Sequence, residues 1–200
     1  MNATATPALT LTPHVSLYAL RQHPDFAAAK AGDISAALRL INDLLNPALL
    51  PLYTADAILA PVISEELSGF NAIPLALAIH LERQRGGIIS TKILAHKAFH
   101  SNKNAMQRLL SPVLYAGPVQ PHKDYIIIDD VVTTGSTLND FKNYIHRHGG
   151  NVIAAICLVT AIHPVLGRTT YLSVTPKTLS RLLAKFGDDF PTFVKRSIWL

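Results

Sequence analysis

Apolar positions in this chain fall into two kinds of segment: short runs that are mainly apolar, and longer stretches in which apolar residues recur at helical spacing. The short runs predict four buried strands, at Ala57–Ile63, Ile88–Ala95, Tyr125–Val131 and Val152–Val159. Strands that are apolar on both faces and alternate with helices are typical of a parallel sheet that is covered on both sides. The expected fold class is therefore α/β.

Proline, glycine and capping residues delimit the predicted helices. The stretch Ile34–Leu45 repeats apolar residues at helical spacing, which predicts one face packed on the core. Pro74 fits the first turn of a helix that runs to about Gln84 and ends at Gly86–Gly87. Further helices are predicted at His14–Leu20, Leu138–His148 and Thr175–Phe186, and residues 1–13 are expected to be frayed.

Polar segments follow the first three predicted strands and are interpreted as loops. They are Ser64–Asn71, His96–His122 and Val132–Thr137. The middle segment is unusually long for a connection inside a compact domain, and such loops are usually functional or disordered.

Composition narrows the class of protein. Hydrophobic residues make up 49% of the chain and charged residues 16%, which excludes a disordered chain and supplies a packed core. The sequence has no apolar run of the roughly 18 residues that a membrane helix needs. Its first residues lack the basic start and apolar stretch of a secretory signal, and the single Cys157 allows no intrachain disulfide. A cytoplasmic protein is expected.

The net charge of +5 leaves two kinds of partner open, a nucleic acid or a small anion. Lysine and arginine are scattered, without the run of five or more that marks a nucleic-acid tail, so a nucleic-acid partner is not expected. The nine histidines show no spacing typical of metal ligands.

The segment Tyr125–Thr137 combines the features of a binding site. Two adjacent carboxylates, Asp129 and Asp130, stand at the end of a buried strand, where the ligand crevice of an open parallel sheet lies. The loop after them offers hydroxyl groups, Gly135 for a tight turn, and backbone N–H groups at a helix start, which together favour a phosphate. The two carboxylates are suited to binding ribose hydroxyl groups, either directly or through Mg²⁺. A P-loop is excluded because the loop has no lysine.

This segment resembles, position by position, the thirteen-residue motif by which type I phosphoribosyltransferases bind 5-phosphoribosyl-1-pyrophosphate (PRPP). The resemblance implies that Asp129 and Asp130 hold the ribose hydroxyls and contact the magnesium of Mg–PRPP. It also implies that Thr133–Thr137 hold the 5′-phosphate. The PRPP-binding residues expected on this basis are Asp129, Asp130, Val131, Val132, Thr133, Thr134, Gly135, Ser136 and Thr137.

The family resemblance also implies the layout of the chain. A parallel-sheet core at residues 51–162 carries the PRPP site, and a small hood built from the chain ends covers the acceptor base. The hood would come from residues 14–50, and the C-terminal helix and tail at residues 163–200 would complete the single domain. A homodimer is also expected.

Upstream of the motif, the resemblance places a pyrophosphate loop at Ser64, Glu65 and Glu66. Family members often have basic or glycine-rich residues there, whereas carboxylates repel pyrophosphate unless a cation intervenes. Two interpretations remain open. Glu65 or Glu66 helps to hold a second Mg²⁺ on the diphosphate, or the loop is simply a solvated acidic turn.

The long segment 96–122 lies where this family has a mobile catalytic loop. Lys103 and Arg108 are candidate pyrophosphate ligands and His100 a candidate proton donor. This stretch, together with Ala29–Asp33 and the Gly69…Pro74 element, is similar to phosphoribosyltransferase-like proteins of bacterial plasmids and integrated elements.

The resemblance implies a transferase of nucleotide metabolism, which passes the phosphoribosyl group of PRPP to a nitrogenous base and releases pyrophosphate. Two alternatives stay open: a non-catalytic regulator that binds PRPP or a nucleotide, and a mobile-element accessory protein that keeps the fold as a scaffold.

Overall fold

The computed structural model describes residues 9–66, 69–96, 113–161, 166, 170–171 and 184. Its helices are α1 (Leu17–Gln22), α2 (Phe26–Lys30), α3 (Ile34–Leu44), α4 (Ile73–Arg85) and α5 (Ser136–Arg147), with a 3-10 turn at Pro47–Leu49. Its strands are β1 (Thr10–Leu11), β2 (Ile58–Pro61), β3 (Glu65–Glu66), β4 (Gly69–Phe70), β5 (Ile88–Ile89), β6 (Leu94–His96), β7 (Leu114–Ala116), β8 (Asp124–Val132), β9 (Asn151–Thr160) and β10 (Thr170–Tyr171).

In the described part of the chain, a parallel sheet of four strands in the order β5-β2-β8-β9 forms the centre of the fold. Helix α4 connects β2 to β5, and α5 connects β8 to β9, so both connections are βαβ crossovers. Strand β8 lies between β2 and β9 and carries the predicted PRPP motif. The expected parallel α/β sheet is confirmed.

The two faces of the sheet bury different helices. Ile126 and Ile128 face a core that contains buried residues of α1, α2, α3 and α4. Tyr125 and Ile127 point to the opposite face, where they pack with α5 and with the ribbon formed by β6 and β7. Alternation along β8 therefore buries both faces, as the apolar run Tyr125–Ile128 predicts.

The prediction of one strand at Ile88–Ala95 is wrong. Ile88 and Ile89 pair parallel with β2, whereas Leu94–His96 pairs antiparallel with β7 in a separate ribbon. The polar residues Ser90, Thr91 and Lys92 interrupt the apolar run, and the chain leaves the sheet there.

Smaller differences concern the ends of elements. Thr10 and Leu11 form a strand with Tyr171 and Thr170, so the expectation of a frayed start is wrong for these two residues. The first helix begins after Ser16, whose hydroxyl accepts a hydrogen bond of 3.1 Å from Ala19 N, rather than at His14. The predicted loop Ser64–Asn71 contains the short hairpin of β3 and β4.

Ala184 is helical, but the rest of the predicted helix Thr175–Phe186 lies outside the described residues, as does most of the segment 96–122. The division into hood and core stays a prediction. Among the residues that the structure describes, no helix is both long and apolar enough to span a bilayer.

Candidate functional site

The two acids of the motif lie within β8, just before its carboxyl end. Asp129 is 8% exposed and Asp130 is 6% exposed, so neither carboxylate is an ordinary solvated surface charge. Because successive side chains of a strand point to opposite faces, Asp130 faces the side of α2 and α4, and Asp129 faces the side of α5. Buried charges need partners, and these partners define the site.

Asp130 is held by groups from three parts of the chain. Lys30 Nζ lies 3.1 Å from Asp130 Oδ2, and the Asn71 side chain also hydrogen-bonds to this carboxylate. Asp130 Oδ1 accepts a hydrogen bond of 2.9 Å from Val131 N. Burial alone raises the pKa of Asp130, but the charge and hydrogen bonds of Lys30, with those of Asn71 and Val131, outweigh it and lower the pKa. The carboxylate is therefore ionised at neutral pH.

Asp129 lies on the other face of the strand. Its Oδ1 accepts a hydrogen bond of 3.0 Å from Asp130 N, and the strand register places it beside Cys157 of β9. The pKa of the Tyr115 hydroxyl is well above its usual value because the side chain is buried and because Asp129 and Asp140 are nearby. The neutral phenol can therefore act as a hydrogen-bond donor on this side.

The loop between β8 and α5 has the geometry of an anion cradle. Gly135 adopts the left-handed conformation, with φ of +79°, directly before the helix. The hydroxyl groups of Thr134 and Ser136 lie 3.0 Å apart, and Thr134 is buried while Thr133 is exposed. The N–H groups at the start of a twelve-residue helix, which lack intrahelical partners, and the aligned helix dipole both favour a bound phosphate.

The cradle is supported by the residues that follow segment 97–112. The Tyr115 hydroxyl donates a hydrogen bond of 3.0 Å to the carbonyl oxygen of Thr137, and Val113 N donates one of 2.9 Å to Asp140 Oδ2. Burial raises the pKa of Asp140 to about 6, although the hydrogen bond from Val113 and the charge of Arg147 oppose that rise. The β6–β7 ribbon is thus tied to the first turns of α5.

The predicted pyrophosphate loop begins at the same edge of the sheet. Pro61 of β2 pairs with Ile128 of β8, so the chain that leaves β2 emerges beside the two acids. Ser64 is buried there, and Glu65 and Glu66 form β3. Lys103, Arg108 and His100 lie outside the described residues, so their predicted roles stay predictions.

The residues at this edge fit a magnesium ion that is shared with a substrate. Carboxylate oxygens are the ligands that Mg²⁺ prefers, and phosphates of the substrate usually complete its coordination. Within the described ranges, no group of three or more histidine, cysteine, aspartate or glutamate side chains could form a metal site by itself. The carboxylates here would supply oxygen ligands, and a bound phosphate would complete the coordination.

Sequence reasoning assigned no role to Lys30, Asn71, Tyr115 or Asp140. Lys30 and Asn71 do lie in the two stretches that resemble the plasmid and integrated-element proteins, Ala29–Asp33 and Gly69–Pro74. That resemblance was the available signal, but only the fold shows that both stretches meet at Asp130.

The site combines paired acids with a hydroxyl-rich loop at the start of a helix. Both lie at the carboxyl ends of parallel strands, where α/β proteins commonly bind phosphorylated ligands. Residues 28–182 match the family model of the phosphoribosyl transferase domain. The chain belongs to that family, which confirms the family predicted from the sequence.

Two relatives and one solved structure illustrate the range of similarity. The chain is 32% identical to Protein TraN of Escherichia coli over 187 residues, which cover 90% of this chain but only 41% of TraN. It is 26% identical over 112 residues to adenine phosphoribosyltransferase of Rhodospirillum rubrum, covering 51% of this chain and 62% of that enzyme. A purine phosphoribosyltransferase of Pyrococcus horikoshii aligns with a TM-score of 0.37 and 19% identity, over 70% of this chain and 80% of that one.

Proposed function

We propose that this chain is an enzyme that transfers the 5-phosphoribosyl group of PRPP to a nitrogenous base and releases pyrophosphate. The observation that carries the proposal is the geometry of β8 and α5. One continuous segment contains two buried acids and then a loop that turns at Gly135 into the start of α5. This segment lies at the edge of the sheet where the chain leaves β2. Membership of the phosphoribosyl transferase family supports the same reaction.

In this reaction the base attacks ribose C1 while pyrophosphate leaves. The protein's main task is therefore to position the two reactants and to stabilise the charge that develops in the transition state. Asp129 and Asp130 would fix the ribose, and the loop from Thr133 to Thr137 would hold the 5′-phosphate. Mg²⁺ bound with the diphosphate would neutralise its charge and improve it as a leaving group. Cys157 has no part in the proposal, because it is buried and its thiol pKa is strongly raised by burial and by the two acids.

A non-catalytic regulator that binds PRPP or a nucleotide is the second candidate. The observation that favours it is the pair Glu65–Glu66 in the predicted pyrophosphate loop, where carboxylates oppose a leaving diphosphate. Such a regulator would use the same ribose and phosphate contacts. The third candidate is a mobile-element accessory protein that keeps the fold as a scaffold and binds no PRPP. If such a protein bound DNA, it would need a contiguous basic patch.

Calorimetric titration with PRPP, with and without Mg²⁺, separates the ligand-binding readings from the scaffold. Heat of binding is expected. The absence of heat in both conditions would reject the proposal of an enzyme and the proposal of a regulator. Pyrophosphate release should then be measured with a panel of free bases. Adenine belongs in that panel because a relative of this chain is an adenine phosphoribosyltransferase. Binding without pyrophosphate release from any base would favour the regulator.

The same proposal includes a cytoplasmic location, a homodimer, and roles for Lys103, Arg108 and His100 in closing over the diphosphate. Light scattering in solution tests the dimer. Alanine substitution of each loop residue tests its role. Weaker PRPP binding is expected for Lys103 and Arg108, whereas a loss of pyrophosphate release with retained PRPP binding is expected for His100.

A further inference from the structure

Two segments distant in sequence join beside the acids. Ala72 N donates a hydrogen bond of 3.0 Å to the carbonyl oxygen of Ala29. Gly32 has φ of +105°, and a Cβ atom there would lie 3.2 Å from the carbonyl oxygen of Phe70. A larger residue at position 32 would therefore be strained and crowded. The stretches Ala29–Asp33 and Gly69–Pro74 thus form one packed unit.

Two side chains of this unit, those of Asn71 and Lys30, contact Asp130. Asn71 is buried, and its Oδ1 accepts a hydrogen bond of 3.2 Å from Ile73 N at the start of α4. That bond fixes the amide plane, so the Asn71 side chain can also hydrogen-bond to Asp130. Lys30, the last residue of α2, reaches the same carboxylate with its ammonium group.

The charge balance at the acids depends on Lys30. Two adjacent ionised carboxylates would repel each other and an incoming phosphate, and burial strengthens that repulsion. The side chain of Lys30 is 31% exposed, whereas that of Asp130 is 9% exposed, so the ammonium group lies between the buried acid and solvent. It therefore supplies a positive charge beside the buried acid, on a side chain that solvent reaches.

We propose that Lys30 is a built-in cation of the PRPP site, which stays paired with Asp130 when the ligand binds and takes the place of a second divalent ion. Asp129 is then the acid that shares Mg²⁺ with the ligand. This inference rests on the proposed function, because it assigns Lys30 to the recognition of PRPP. Lys30 acts here as a positioning and charge-compensating residue, not as a group that reacts.

The proposal makes a specific prediction about Mg²⁺. Without Lys30, Asp130 loses its ammonium partner, and a divalent cation can supply the missing positive charge. PRPP affinity of the Lys30→Met variant is therefore expected to fall roughly 10- to 100-fold at low Mg²⁺, the range of one charge-assisted hydrogen bond. It should return towards the wild-type value as Mg²⁺ is raised. Lys30→Arg, which keeps the charge, should show the wild-type dependence on Mg²⁺.

The experiment is a calorimetric titration of PRPP into the whole chain over a series of Mg²⁺ concentrations, with thermal unfolding of every variant measured alongside. Lys123→Met is the matched control, because Lys123 pairs with the exposed Asp56 at 3.5 Å. That variant should bind PRPP like the wild type. If the Lys30→Met protein unfolds, Lys30→Gln keeps a hydrogen-bond donor without the charge and carries the same expectation.

The outcomes separate this inference from the proposed function. A variant that binds PRPP as tightly as the wild type at low Mg²⁺ overturns the role of Lys30. Weakening by the same factor at every Mg²⁺ concentration also overturns it, because a purely structural role is not rescued by a cation. Failure of the wild type to bind PRPP at any Mg²⁺ concentration rejects the proposed function as well.

Discussion

The hydroxyl of Tyr115 donates a hydrogen bond of 3.0 Å to the carbonyl oxygen of Thr137, the last residue of the predicted phosphate loop. The Tyr115 ring is stacked on Phe141 of α5, with centroids 4.5 Å apart and planes 5° from parallel. Tyr115 belongs to β7, a strand that lies within the segment 96–122, which the sequence predicts to be a loop and which resembles a catalytic loop. The position of the predicted phosphate loop is therefore coupled to that segment.

The first prediction tests this coupling. Tyr115→Phe keeps the stacked ring but removes the hydrogen bond, so it should lower the free energy of unfolding by about 1 kcal/mol. It should also weaken PRPP binding, because the first turn of α5 loses a support. Tyr144→Phe is the control: it removes the 2.6 Å hydrogen bond to the Gly117 carbonyl, away from the cradle. Equal PRPP affinities in the two variants would contradict the coupling.

The second prediction concerns the paired acids. Asp129→Asn combined with Asp130→Asn should abolish PRPP binding in calorimetry, because both proposed ribose contacts lose their charge. Circular dichroism should show that the fold is retained. Asp124→Asn is a matched control at the opposite end of β8, where the carboxylate accepts a hydrogen bond of 2.7 Å from Asn151. Retained affinity in the double variant would show that the motif assignment is wrong.

The third prediction uses the two glycines that flank α5. Gly135 and Gly149 both have positive φ, +79° and +83°, so alanine at either position should cost about 1 kcal/mol of stability. Only Gly135 lies in the cradle, so only Gly135→Ala should also weaken PRPP binding. Calorimetry and thermal unfolding of both variants check this. A similar loss of affinity in Gly149→Ala would mean that the effect comes from stability alone.

The local parts of this site could be predicted from sequence, and the assembled parts could not. The acids, Gly135 and the start of α5 follow from one continuous segment, in which apolar positions, acids and loop residues determine their own structure. Lys30 looks like any residue at a helix end, and its contact depends on how α2 packs against the start of α4. The strand prediction at Ile88–Ala95 failed because three polar residues in a mainly apolar run do not by themselves show whether a strand continues or the chain leaves the sheet.

The fourth prediction concerns pH. Burial raises the folded-state pKa of Asp140 from 3.8 to about 6, so the folded protein binds its proton more tightly than the unfolded chain. The stability gained in this way is fully present below pH 3.8 and is lost as pH rises through 6. Across this window, the free energy of unfolding of the wild type relative to Asp140→Asn should fall by about 2 kcal/mol, allowing for partial solvent screening.

Chemical denaturation of both proteins at several pH values measures this difference. The comparison cancels the opposite contribution of His14, whose pKa burial lowers to about 4 despite its hydrogen bond from Asn46. A difference between the two proteins that does not change with pH would contradict the raised pKa of Asp140.

The fifth prediction concerns Cys157. The thiol is buried in β9, and its pKa is raised by burial and by the nearby acids, so little thiolate forms. Ellman's reagent should therefore modify the folded protein very slowly and the protein in denaturant at once. Cys157→Ala provides the blank. Rapid modification of the native protein would show that the edge of the sheet opens far more readily than its packing indicates.

The ion pair between Lys30 and Asp130 joins residues that are 100 positions apart. Closing a flexible loop of that length costs about 4 kcal/mol of chain entropy, so this contact is expected to form late in folding, after the local strand–loop–helix unit. Until then Asp130 lacks its ammonium partner. We therefore expect a chain whose N-terminal helices have not yet docked to bind PRPP weakly, because the positive charge beside Asp130 is still missing.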